Sequence, residues 1–149
     1  MKGKRKMKYK RLTDNAKVPT RADEGSAGYD LYAATSYSIE IKPHQTVKID
    51  TGIALEIDHG FFGMLVPRSG IATKRSLRPA NTPGIIDESY RGNIIIALHN
   101  DSDIPQWIEA QERIAQLILV PYHITDWEEV DELSETERGA GGFGHTGAT

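Results

Sequence analysis

Three runs decide the fold: Tyr37-Ser38-Ile39-Glu40-Ile41, Thr46-Val47-Lys48-Ile49 and Gly52-Ile53-Ala54-Leu55-Glu56-Ile57. Each alternates apolar and polar residues with period two, the signature of a strand with one buried face. Residues 61–66, 93–98 and 114–120 are more continuously apolar, as strands buried on both faces are. Breakers separate these runs at Pro43, Asp50, His59-Gly60, Pro67, Pro83-Gly84 and Pro105. Only residues 69–74 read as a helix, one short helix with Ser69 as its cap. Many short strands with almost no helix specify an all-β domain, built as an antiparallel sandwich, barrel or jelly roll. Ile94-Ile95-Ile96 puts apolar groups on both faces of one strand, so one face can close the core while the other meets a second subunit.

The bulk numbers exclude several classes. At 149 residues the chain reads as one domain with room for one core. A net charge of −3 gives no global pull toward nucleic acid or membrane. No run reaches the ~18 apolar residues of a membrane span. With no cysteine, disulfides, thiol catalysis and cysteine-ligated zinc are all excluded, and a reducing compartment is compatible. The ends are electrically opposite. Seven basic residues precede Leu12, and seven acidic ones lie between Asp126 and Glu137. No apolar stretch follows the basic start, so it does not read as a signal peptide. It reads as a solvated extension, since no aromatic platform accompanies the charges.

No Walker lysine motif, H-E-x-x-H or G-x-S-x-G is present, and the five histidines are scattered. Four interior segments carry chemistry instead. Pro67-Arg68-Ser69-Gly70 leaves a strand and enters the short helix. It suits either a phosphate cradle or an ordinary capped strand exit. In residues 81–92, Pro83-Gly84 and Gly92 permit turns, and two strand-like halves bracket Asp87. Such a hairpin can offer backbone groups to the edge of a planar ligand, with Asp87 as a general base and Tyr90 as a floor. The alternative is a hairpin with solvated acids. Gln116 interrupts an apolar run after Arg113-Ile114-Ala115, so it must bond either backbone or ligand. Asp30, between Tyr29 and Leu31, must pair with an arginine, bond backbone or help hold a metal's water shell.

The tail Arg138-Gly139-Ala140-Gly141-Gly142-Phe143-Gly144-His145-Thr146-Gly147 is half glycine. It reads either as a disordered terminus or as a mobile arm that orders on an anionic, flat ligand. Gly139, Gly141 and Gly144 match the spacing of dinucleotide-binding loops. Only five residues follow Gly144, too few for the helix that motif requires.

These five segments, in this order and over about residues 8–147, resemble the trimeric dUTPases. The resemblance implies a jelly-roll β-barrel at residues 8–137, a basic extension at 1–7 and a lid arm at 138–149. It implies a cytoplasmic homotrimer with three active sites at subunit interfaces. The implied reaction is Mg²⁺-assisted hydrolysis of dUTP to dUMP and pyrophosphate, which keeps uracil out of DNA and supplies dUMP for dTMP synthesis. Asp87 would activate the attacking water and bond the sugar 3′-hydroxyl. Tyr90 would pack under the deoxyribose. Backbone groups at Gly84 and Ile86, with Asn81, would read the uracil edge. Arg68, Ser69, Gly70 and Gln116 would hold phosphates. Arg138 would reach the γ-phosphate and Phe143 would cover the uracil. Gly144, His145 and Thr146 would complete the closed arm. Asp30 would lie in the metal's outer shell or orient an arginine.

Two positions depart from the family pattern. Ser89 stands where an acid is frequent, and Gln111-Glu112 precedes Arg113 where glycine is usual two residues before the arginine. Both bear on local turn geometry. The rivals are a dCTP deaminase of similar fold, a phage-type regulator with a protein partner, and a purely structural jelly roll. No membrane or nucleic-acid partner is expected.

Overall fold

The computed structural model describes residues 6–142. Among them the chain forms eleven strands and one helix. The first half carries β1 (Lys8–Arg11), β2 (Tyr29–Tyr32), β3 (Ile39–Ile41), β4 (Thr46–Asp50), β5 (Ile53–Glu56) and β6 (Phe61–Val66). Then come α1 (Ser69–Arg75), β7 (Leu77–Pro79), β8 (Gly84–Ile86), β9 (Ile95–Asn100), β10 (Gln106–Ile108) and β11 (Arg113–Pro121). All pairings are antiparallel. One sheet has the order β2-β11-β6-β8 and another the order β4-β9-β7, with β1–β5 and β3–β10 as two-stranded ribbons. No helix among the described residues is long and apolar enough to cross a membrane.

The period-two pattern explains which side chains go inward. On β9, Ile96 and Leu98 are fully buried while Ile95 is 43% exposed. They pack with Leu31, Ile41, Ile49, Ile53, Leu65, Leu77, Ile108, Ile114 and Leu117 into one core drawn from both sheets and both ribbons. Each such aliphatic group contributes about 1.5–3 kcal/mol by leaving water. Two of the runs expected to be buried on both faces, 61–66 and 93–98, alternate instead: β6 keeps Gly63 and Leu65 inside and the intervening residues partly open. A single chain closes only one face of that sheet.

Three local readings need correction. Ser69 does not cap α1. Arg68 occupies the cap position in extended conformation, no side chain caps the helix, and Ser69 is its first residue. The Ser69 carbonyl instead accepts from the Thr73 hydroxyl at 2.7 Å. Residues 81–92 do not form a hairpin. β8 pairs with β6, whereas β9 pairs with β4 and β7, so the segment crosses from one sheet to the other. Lys8, Lys10 and Arg11, read as part of a solvated extension, lie in β1 paired with β5. Their side chains still face solvent, and Lys8 pairs with Glu56 at 2.7 Å.

Buried polar groups staple the ends of the layers. Asn100 is 0% exposed. Its Nδ2 donates to the carbonyls of Ile41 at 3.0 Å and Ile104 at 2.8 Å. Its Oδ1 accepts from the Ser102 amide and hydroxyl. It therefore joins β3, β9 and the loop entering β10. At the far end of α1, Arg75 donates to Glu112 and to the Trp107 carbonyl, which fixes the helix against the β10–β11 connection. Gln111 has φ +61°, the left-handed region that glycine occupies without strain. Its amide donates to the Ala33 carbonyl, and its side chain donates to the Asn15 carbonyl at 2.9 Å. Those two bonds hold the backbone turn that glycine serves in the family pattern.

Asn100→Ala leaves the buried Ile41 carbonyl and the part-buried Ile104 carbonyl without their donor. The variant is expected to lose about 2–4 kcal/mol of stability in urea unfolding. A midpoint equal to that of the unmodified chain would show that the staple contributes nothing.

Candidate active site

One register row builds the first cleft. On β11, Gln116 lies opposite Asp30 of β2 and Val66 of β6. Val66 leads through Pro67 into Arg68, so Asp30, Gln116 and Arg68 converge. Asp30 is a buried carboxylate, and its Oδ1 accepts from Arg68 Nε at 2.7 Å. Its Oδ2 faces Arg113 Nη1 at 3.3 Å. The register between β11 and β2 slips between Arg113 and Ala115. This bulge at Ile114 turns Arg113 onto the Asp30 face, where regular alternation would send it inward. Arg113 carried no role in the sequence reading, because a bulge leaves no mark in the apolar pattern.

Gln116 bonds backbone: its Nε2 donates to the Pro67 carbonyl at 2.8 Å. Its side chain lies against Gly28, where an added Cβ would come within 2.1 Å of Gln116 Oε1. Gly28 is thus the space that Gln116 fills. Together with Ser69 and Gly70 at the start of α1, these residues line a cleft of about 360 Å³. Its bottom is a carboxylate shared by two arginines, and its rim offers one arginine, a hydroxyl and an amide side chain. Such donors suit an anionic ligand. Both oxygens of Asp30 are taken by arginine. Among the described residues no group of three His, Asp or Glu side chains could hold a metal ion.

The second cleft forms around the crossing segment. β8 brings Gly84 against Leu65, with Ile86 opposite Gly63. Asp87 follows immediately and is exposed, and its carbonyl accepts from the Tyr90 amide at 3.0 Å. Glu88 and Ser89 are the centre of that turn, and neither has positive φ, so serine at 89 leaves the turn intact. The Tyr90 hydroxyl donates to the Asn93 carbonyl at 2.9 Å. Its ring covers Gly92, where an added Cβ would sit 2.5 Å from the hydroxyl. Asp87 and Ile85 face a cleft of about 480 Å³ closed by Phe62, Glu88 and Tyr122. On the other side, Ile86, Asp87 and Tyr90 face a smaller one of about 190 Å³ with Asn93 and Ile95. Asn81 is exposed, its amide close to Gly84.

The structure therefore gathers Asp30, Arg68, Ser69, Gly70 and Gln116 in one place and Ile86, Asp87 and Tyr90 in another. The two sets line no cleft in common. Arg138 joins neither: it is exposed, and its Nε donates to the Gly141 carbonyl at 2.9 Å. Phe143, Gly144, His145 and Thr146 lie outside the described residues. The sequence reading also missed the partners of Glu88. Its carboxylate accepts from the Gly60 amide at 2.7 Å and meets His59 Nδ1 at 2.8 Å. Those contacts join residues nearly thirty positions apart, which no local pattern encodes.

Comparison with known proteins bears on these features together. A dUTPase family model matches residues 14–147. The deoxyuridine 5′-triphosphate nucleotidohydrolase of Nautilia profundicola is 44% identical over 142 residues, covering 95% of this chain and 99% of its own. That of Acinetobacter baylyi is 43% identical over 148 residues, covering 99% of each chain. Among solved structures, the dUTPase of Staphylococcus bacteriophage 80alpha with dUPNHPP superposes with a TM-score of 0.88 at 31% identity, covering 97% of this chain and 99% of that one. A mutant dUTPase from phage phi11 of S. aureus, described with a structural Mg(II) ion, gives a TM-score of 0.77 at 27% identity over 86% of this chain and 98% of its own. The expected all-β jelly roll with one short helix is the fold these proteins share. A family match over nearly the whole chain, and relatives aligned end to end, leave one conclusion: the chain belongs to the dUTPase family.

Proposed function

We propose that this protein hydrolyses dUTP to dUMP and pyrophosphate, keeping uracil out of DNA and supplying dUMP for dTMP synthesis. The observation that carries the reading is the pair of clefts, one suited to a polyphosphate and the other presenting a free carboxylate beside an aromatic floor. Water held by the Asp87 carboxylate attacks the α-phosphorus. A new O–P bond forms, the bridging oxygen between the α- and β-phosphorus leaves with pyrophosphate, and Asp87 takes the water's proton. Tyr90 packs under the deoxyribose, and its position over Gly92 supports a close fit there. Backbone groups at Gly84 and Ile86, with Asn81, read the uracil edge, because a wrong base leaves buried groups unpaired.

Arg68, Ser69, Gly70 and Gln116 hold phosphates. Among the described residues, none outside its own helix backbone and chain neighbours lies within 4 Å of where a Gly70 Cβ would be, so that side of the residue is open. Between the two roles proposed for Asp30, geometry supports orienting Arg68 and Arg113 over a place in a metal's outer shell. The residues fit Mg²⁺ held mainly by phosphate and water oxygens, since the cation keeps much of its own hydration. When bound, the ion neutralises developing charge on the phosphates.

A substrate reaching from Asp87 to Arg68 must span two clefts that one chain keeps apart. That separation supports a homotrimer in which each site draws residues from more than one subunit. Ile85 and Ile95 are 56% and 43% exposed, and Asn93 Oδ1 is buried without a hydrogen-bond partner among the described residues. Both features fit a face completed by a second copy. Residues 138–149 act as the lid: Arg138 leaves its local turn for the γ-phosphate, and Phe143, Gly144, His145 and Thr146 close over the nucleotide.

Pyrophosphate release from dUTP with Mg²⁺, run beside dTTP, dCTP and UTP, tests the reaction. Release from dUTP alone is expected, and ammonia release from dCTP would move the chain to the deaminases. Asp87→Asn is expected to lower kcat by about 10²–10⁴-fold with dUTP binding kept, as loss of a general base does; near-full kcat would refute the assignment. Removal of residues 138–149 is expected to leave a folded trimer with severely reduced turnover, and loss of the trimer on size exclusion would contradict a lid role. Asp30→Asn leaves two guanidinium groups short of their partner. It is expected to cost about 1–3 kcal/mol in urea unfolding and to raise KM for dUTP, and an unchanged KM would show that Arg68 needs no such orientation.

A further inference from the structure

Asp87 follows β8 directly, yet among the described residues no hydrogen bond holds its carboxylate. Its position is set by the backbone of turn 87–90. What fixes that turn is the next side chain. Glu88 Oε2 accepts from the Gly60 amide at 2.7 Å, and Oε1 meets His59 Nδ1 at 2.8 Å. The Tyr122 hydroxyl faces the same cleft, where the Glu88 carboxylate holds the phenol above its usual range. Tyr122 is fixed in turn: its amide donates to the Gly60 carbonyl at 3.0 Å, and Phe62 packs edge-on against its ring at 6.4 Å. On the other side, Arg91 Nη1 donates to the carbonyls of Glu88 at 2.5 Å and Tyr90 at 3.1 Å.

We infer that Glu88 is a positioning residue for the reaction: its carboxylate pins the turn carrying Asp87 to the β5–β6 turn. The inference rests on Asp87 being the base. Two donors of the β5–β6 turn, the Gly60 amide and the His59 ring, converge on one carboxylate whose side chain is 25% exposed. A solvated acid does not collect such a pair. Bonding to His59 and Gly60 holds the Glu88 carboxyl below its usual range, so it is ionised and accepting at neutral pH. Gly60 has φ +82°, which presents its amide toward Glu88 in a conformation that other residues rarely adopt. A displaced general base loses rate without losing ligand, because attack depends on alignment.

The test compares Glu88→Ala, Glu88→Gln and His59→Ala with the unmodified full chain and Asp87→Asn in steady-state pyrophosphate release from dUTP. Glu88→Ala is expected to lower kcat about tenfold or more while KM stays within about threefold. Glu88→Gln keeps an acceptor for Gly60, so it is expected to recover most of kcat. His59→Ala removes one restraint and is expected to lower kcat by about threefold with KM unchanged. A merely structural role would lower the melting temperature and leave kcat per folded protein alone. Full kcat in folded Glu88→Ala, with Asp87→Asn inactive, would overturn the inference and spare the base. Glu88→Gln as slow as Glu88→Ala would overturn it as well, by assigning the carboxylate a chemical part. Full activity in Asp87→Asn would sink the base assignment and the inference with it. Should Glu88→Ala fail to fold, His59→Ala decides, and an unchanged kcat there counts against the inference.

Discussion

The register of β11 is the constraint on which the rest depends. This strand pairs with β2 on one side and β6 on the other, and a single row aligns Asp30, Gln116 and Val66. Sliding either pairing by one residue would send Gln116 or Asp30 into the aliphatic core and Leu117 or Leu31 to solvent. The core therefore enforces the register, and the register assembles the polar cleft. Stability and site geometry are two consequences of one set of strand pairings.

The bulge at Ile114 is where the two demands meet. Ile114 and Ala115 are adjacent, yet both are fully buried. Strict alternation forbids that. The extra residue keeps both inside and reverses the direction of Arg113, which joins Arg68 on the Asp30 carboxylate. Two cations over one buried anion leave net positive character at the cleft floor, which suits an anionic ligand.

The Asp87 side follows a different logic. Asp87 sits on a crossing between sheets, outside any ladder, and its neighbours supply the rigidity that pairing does not. Glu88, His59, Gly60 and Arg91 form a frame around the turn. Loops carry chemistry where a scaffold holds them, and here the scaffold is made of side chains as well as strands.

By itself the sequence determined the class of fold, because alternation and breakers are local. The runs at 46–49, 52–57 and 61–66 became β4, β5 and β6 with shifts of a residue or two. It also determined the candidate residues, since Asp87, Arg68 and Gln116 stand out as polar groups in apolar or turn contexts. Short strands such as β2, β7 and β10 were not legible, being three or four residues long and recognisable only by their partners. Tertiary structure alone decided which strands pair and hence that residues 81–92 cross between sheets. It also decided that the bulge aims Arg113 at Asp30, and that Glu88 is tied to His59 and Gly60. Those outcomes depend on contacts between residues far apart in sequence, where geometry is set by the closing of the core and not by any local preference.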